Sequence, residues 1–175
     1  MSSTITRVVV GVDGSKDCLP ALRQAAEEAR RHHAEFEPVI IYSSVQGDYV
    51  DRRWPPEGPM ARQLHDQAYR KLMACCDRAV GGLPDDLSCT PTAALGSVAP
   101  LLVSAARGED VLLVLGGCPH GPVHRLLKGS VSRYCVRHCT GPVLLVPPQD
   151  PSLAPPQDPT QELAQDLATE QHARS

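Results

Sequence analysis

The stretch RVVVGVDGS, residues 7–15, decides the architecture of this chain. Val8, Val9, Val10 and Val12 make a β-branched run too short for a helix. The run has no polar alternation, which is the pattern of a strand covered on both faces inside a parallel sheet. Asp13-Gly14-Ser15 then breaks it with three turn formers. A helical stripe follows within residues 17–33, where Leu19, Leu22, Ala25, Ala26 and Ala29 share one face. Asp17 is placed to cap this helix, and Pro20 falls in the first turn, where its missing N–H costs little. A strand, a tight turn and an amphipathic helix form the opening unit of an alternating α/β chain.

The same alternation continues outward from that unit. PVIIY at residues 38–42 is a second buried strand, and the segment from Ser43 to Pro59, polar and rich in proline and glycine, reads as a surface loop. Residues 60–80 carry Leu64, Ala68, Leu72, Cys75, Cys76 and Ala79 on one helical stripe, which Gly81-Gly82 stops. Leu87 to Leu95 is a weaker strand and Val98 to Ala106 a third helix. VLLVLG, ending at Gly116, is a buried strand, Ser130 to Cys139 forms a fourth helix, and PVLLVP at residues 142–147 is the last strand. Five short apolar strands alternating with helices predict an α/β fold built on a doubly wound, five-stranded parallel sheet, Rossmann-like in type. Ligands of such sheets sit at the carboxyl ends of the strands, near the switch point, which directs attention to Gly11–Ser15 and Gly116–Pro119.

Composition divides the chain into residues 1–147, expected to form the α/β domain, and an acidic, proline-rich tail over 148–175, expected to be disordered. The tail carries Asp150, Asp158, Glu162, Asp166 and Glu170 against Arg174, so of the chain's net charge of −3 it accounts for −4 and the domain for +1. A near-neutral domain has no electrostatic footprint for nucleic acid or an anionic membrane. The first residues show no basic and apolar leader, and no run approaches the about 18 apolar residues that span a bilayer, so a cytoplasmic location is expected. The 7 cysteines are an odd count, better suited to free thiols than to a disulfide framework.

Gly129-Ser130-Val131-Ser132 opens the fourth helix. A glycine before a helix N-terminus makes an anion site, with converging N–H groups, a favourable dipole and here two serine hydroxyls; equally, either serine serves as a plain N-cap. Asp13 stands at the end of the first strand, where its carboxylate either holds the turn or accepts from an exocyclic amine. His120, His124, Arg125 and Lys128 make a basic loop able to lean on phosphate or simply to be solvated. Cys118, His120 and His124 with Cys135 and Cys139 match no common zinc spacing, and the last pair, four residues apart, is also the spacing of a core stripe. There is no nucleophile elbow, Walker loop or zincin pair, so no catalytic residue is assigned and hydrolysis would be weak at most.

Together, VVVGVDGS at residues 8–15, LLVLG at 112–116, GSVS at 129–132 and the closing PVLLVP resemble the universal stress protein family over about residues 5–147. The resemblance implies strand order 3-2-1-4-5, a homodimer through the last strand, and a regulatory module that binds ATP, with Mg2+, or a related adenine nucleotide and couples it to a stress response. ATP-binding members resemble the pattern G-x-x-G-x9-G-[S/T]. Carried over, Asp13 contacts adenine with Gly11 and Val12 beside it, and Val39 packs on the base. Gly116 is the first glycine, Gly129 and Ser130 the closing pair, and Val131 and Ser132 extend the phosphate cradle. Pro119 stands where the second glycine belongs. It has no N–H to donate and cannot take a left-handed conformation, a loss of about 0.5–1.5 kcal/mol for the missing bond alone. Because other family members do not bind ATP, the alternatives are a dimeric interaction scaffold of the same fold or, further off, a slow ATPase.

Overall fold

A computed structural model describes residues 4–44, 56–116 and 130–147. Along the chain these form β1 (Arg7–Val12), α1 (Leu19–His32), β2 (Glu35–Tyr42), α2 (Gly58–Val80), β3 (Thr92–Leu95), α3 (Val98–Ala105), β4 (Val111–Gly116), α4 (Ser130–His138) and β5 (Val143–Val146). The strands make one sheet in the order β3-β2-β1-β4-β5, and every neighbouring pair is parallel. Chain direction across the sheet reverses at β1: β2 and β3 step to one side, β4 and β5 to the other. The crevice between the ends of β1 and β4 is therefore the switch point.

Strand periodicity assigns the two faces. Val8, Val10 and Val12 point toward α1 and α2, where they join Ala21, Leu22, Ala25, Ala26, Leu72, Cys75 and Cys76 in one core. Val9, Val39, Leu113 and Leu115 point the other way, onto Leu102 and Ala106 at α3 and Cys135 of α4. The small alanine face of α1 brings its backbone close to the sheet, which is how a slim helix reaches β1, β2, β4 and β5. Cys135 is fully buried and Cys139 packs against the same core, so this pair is a core stripe. Cys118, His120 and His124 lie outside the described residues.

Element boundaries differ from the sequence expectation at several ends, three of them with a clear cause. Strand β2 begins at Glu35, because Phe36 pairs across to Cys89 and Val8 and extends the ladder before Pro38. Only Thr92–Leu95 of the expected third strand is laddered, since Pro91 interrupts the pairing that starts at the isolated Phe36–Cys89 bridge. The cap of α1 is Cys18, not Asp17, and it makes no side-chain capping bond.

At the amino-terminal edge of the α3 face, Arg7 donates to Glu37 Oε2 at 3.2 Å and to the Ala105 carbonyl at 2.9 Å, while Thr92 donates to Glu37 Oε1 at 3.3 Å. Burial pushes the Glu37 carboxyl above its ordinary range, an effect that Arg7 and Thr92 offset only in part. Among the described residues no helix is long and apolar enough to cross a membrane.

Candidate functional site

The turn after β1 is held by its own side chains. Asp13 Oδ1 accepts the Ser15 N–H at 2.8 Å and the Ser15 hydroxyl at 2.7 Å, and Ser15 Oγ in turn accepts the Asp17 N–H at 3.2 Å. Gly14 has φ 83°, a conformation that side chains resist. The Lys71 side chain from α2 lies directly over it, with Cδ 2.6 Å from where a Gly14 Cβ would stand. Asp13 thus performs the turn role, and its hydrogen bonds among the described residues end on Oδ1 alone.

Beyond the turn, a cleft of about 310 Å3 opens at the carboxyl ends of the strands. Gly11, Val12 and Asp13 come from β1 and its end, Val39 and Ile41 from β2, Leu115 and Gly116 from β4. One wall is Val98 and Leu102 of α3, another Asp17 and Cys18 at the start of α1, and Ser130, Val131 and Ser132 enter with α4. The floor exists because residue 11 has no side chain: a Cβ there would sit 3.0 Å from Leu115 Cδ2 and 3.3 Å from both Leu102 methyls. The lining is mostly aliphatic with a few polar groups, the usual make-up of a small-molecule site.

Of the residues singled out from the sequence, Gly11, Val12, Asp13, Val39, Gly116, Ser130, Val131 and Ser132 all line this one cleft. Gly129 lies outside the described residues, as do Pro119, His120, His124, Arg125 and Lys128. Ser130 and Ser132 both fall inside α4, so neither is its N-cap; Ser132 is buried in the helix's first turn. Helix α4 nonetheless begins at the cleft and directs its dipole there.

Sequence reasoning missed Asp17, Cys18, Ile41, Val98, Leu102 and Leu115. Ile41 was within reach, being two residues beyond Val39 and so on the same face of β2. Val98 and Leu102 stand four apart on α3, but nothing local marks them as cleft residues rather than core. Cys18 is not a reactive thiol: burial foremost, then neighbouring Cys75 and Asp13, push its pKa up to about 12. Among the described lining residues the only full charges are the Asp13 and Asp17 carboxylates. No group of three or more His, Cys, Asp or Glu among the described residues comes together to hold a metal ion.

Comparison with known proteins joins this geometry to a family. A universal stress protein of Mycolicibacterium smegmatis is 29% identical over 151 residues, covering 83% of this chain and 49% of the relative, so the chain spans about half the length of that protein. Universal stress protein Rv1996 of Mycobacterium tuberculosis gives a similar result, 28% identity over 154 residues, with 80% and 47% covered. A second, shorter Mycolicibacterium smegmatis universal stress protein is 27% identical, with 81% of this chain and 97% of the relative covered. Among solved structures, UspA from Lactobacillus plantarum shares the fold, with a TM-score of 0.59 at 18% identity over 83% of this chain and 99% of that one. The model of the universal stress protein family matches residues 4–147, and with the strand order, the switch-point cleft and these relatives in agreement, the chain belongs to that family.

Proposed function

We propose that the switch-point cleft binds an adenine nucleotide, ATP with Mg2+ included, and that the chain works as a regulatory module whose ligand state alters its surface. One observation carries the reading: eight residues distant in sequence, from Gly11 to Ser132, meet around a single cleft of about 310 Å3 whose floor depends on a glycine. The aliphatic lining, with Val39 and Ile41 from β2 and Val98 and Leu102 from α3, suits a flat base. Asp13 Oδ2 offers an acceptor to an exocyclic amine, while the start of α4 and the Ser130 and Ser132 hydroxyls suit a phosphate. Magnesium would enter on the nucleotide's own phosphates, with a carboxylate such as Asp13 or Asp17 able to assist, because the described residues form no cage for it.

Dimerisation through β5 belongs to the same proposal. Val143–Val146 is an edge strand, hydrogen-bonded to β4 on one side, and each of its residues is only half-buried.

The test is thermal shift and calorimetry on protein stripped of ligand, with ATP, ADP and AMP at millimolar concentration and magnesium present. A ligand at a hundred times its Kd should raise stability by about 2.7 kcal/mol. No response to any of the three removes the proposal. The interaction scaffold without ligand is the second reading, favoured by Pro119 at the second glycine position. Pro119→Gly separates the two: tighter ATP binding identifies the proline as a tuning or inactivating change within a nucleotide site.

A further inference from the structure

We infer that the outward face of α4 is the docking site of this chain's own acidic tail, engaged through residues 160–171. The inference stands apart from the nucleotide reading. Helix α4 packs Val131 and Cys135 against the core and leaves Arg133, Tyr134, Val136, Arg137 and His138 exposed. Arg133 and Arg137 lie one turn apart on one face, with Val136 and Tyr134 to either side. Tyr134 is 39% and Val136 49% exposed, two of the five large apolar side chains that the described residues present to solvent. The charge around them has one sign. From Val111 to Gln149 the sequence contains no carboxylate, and the first acids beyond it are those of the tail. On α1, by contrast, the cations meet acids: Arg31 donates to Glu28 at 2.7 Å and Arg30 to Asp86 at 2.6 Å. Arg137 has no such partner among the described residues.

The tail's sequence supplies the complement. No proline follows Pro159, and Glu162, Asp166 and Glu170 recur every four residues beside Leu163 and Leu167. In a helix these positions form an acidic stripe next to an apolar one, the pairing that Arg133, Arg137 and Val136 present in the opposite sign. The connection is long enough. Strand β5 runs parallel to β4 and so ends at the cleft side of the sheet, where α4 begins with Ser130. Residues 148–161, extended, reach about 45 Å, against about 14 Å for the whole of α4. A tether of this kind holds the segment at about millimolar effective concentration, an advantage that an acidic peptide of another protein lacks. Ordering the segment on contact costs free energy, so the attraction between charges decides the balance and salt weakens it.

The experiment is NMR of the 15N-labelled full chain, in about 10 mM and about 1 M salt, where charge interactions reach about 30 Å and about 3 Å. Four proteins are compared: the native chain, Glu162→Gln/Asp166→Asn, Arg137→Gln, and Asp150→Asn/Asp158→Asn, which removes the same charge from the proline-rich half of the tail. At low salt the native amides of residues 162–170 should show restricted motion by heteronuclear NOE, and the α4 amides should shift as salt releases the tail. The docking equilibrium read from those shifts should fall about three- to tenfold in Glu162→Gln/Asp166→Asn and about twofold or more in Arg137→Gln, and change less than about twofold in Asp150→Asn/Asp158→Asn. Unrestricted motion of residues 162–170 in the native chain at low salt overturns the inference. So do α4 shifts that are the same with and without the Glu162 and Asp166 charges, or equal effects of the two paired tail substitutions. Restriction that fades on dilution assigns the face to a second copy of the chain and likewise overturns docking by its own tail.

Discussion

Asp13 holds the turn through one oxygen and, in the proposed complex, offers the other to the ligand, and substitutions can separate the two. Oδ1 holds the turn through Ser15, and Oδ2 is the atom left to meet a ligand. Asp13→Asn keeps a carbonyl oxygen for the turn but replaces the second acceptor by an amide donor, which opposes an exocyclic amine. Folding stability should stay within about 0.5 kcal/mol of the native value while adenine-nucleotide affinity falls about tenfold or more; urea denaturation and calorimetry on one preparation measure both. Equal loss of stability and binding would mean that the residue acts through the turn alone. Gly11 makes a different demand. Its missing side chain is the floor of the cleft, and Gly11→Val drives two methyls into Leu115 and Leu102. Overpacking should cost about 1–3 kcal/mol and abolish calorimetric binding, with the circular dichroism of the fold retained.

At the scale of elements, the Arg7–Glu37 pair ties β1 to β2 and, through the Ala105 carbonyl, to the end of α3. Burial raises the Glu37 pKa more than its partners lower it. The folded protein therefore holds this proton more tightly than the unfolded chain, whose glutamates titrate near about 4.3. Its contribution to stability is complete below that value and is lost as pH rises through the raised folded value. Glu37→Gln does not titrate, so its stability relative to the native protein should increase from pH 4 toward pH 7. Urea denaturation across that range tests the sign; a constant or falling difference would show that Arg7 dominates. The buried strands were legible in the sequence because a parallel sheet needs apolar residues on both faces, and Val8–Val10 and Leu112–Leu115 have nothing else. Element ends were less legible. The start of β2 is set by pairing of Phe36 with residues remote in sequence, and the cap of α1 by a turn whose bonds run through Ser15.

For the whole molecule, the sheet ends in a half-exposed strand, and the proposed dimer would cover it. Val146→Lys adds the charge that natural edge strands use to discourage pairing, and it should weaken self-association about tenfold or more in sedimentation equilibrium. A native chain that sediments as a monomer at high concentration would remove the dimer from the proposal. The alternation of strands and helices, and with it the parallel sheet, was determined by the sequence alone, since hydrophobic periodicity and turn residues act locally and leave one economical way to cover both faces. Gly11, Asp13, Gly116 and Ser130 were also visible as candidates, because turns and helix starts have local signatures. Which residues enclose the cleft was decided only by the tertiary structure. Val98 and Leu102 of α3, and Asp17 and Cys18 just before α1, reach it because the crossovers set two helices on opposite faces of the switch point, and such proximity leaves no mark in any short stretch of chain.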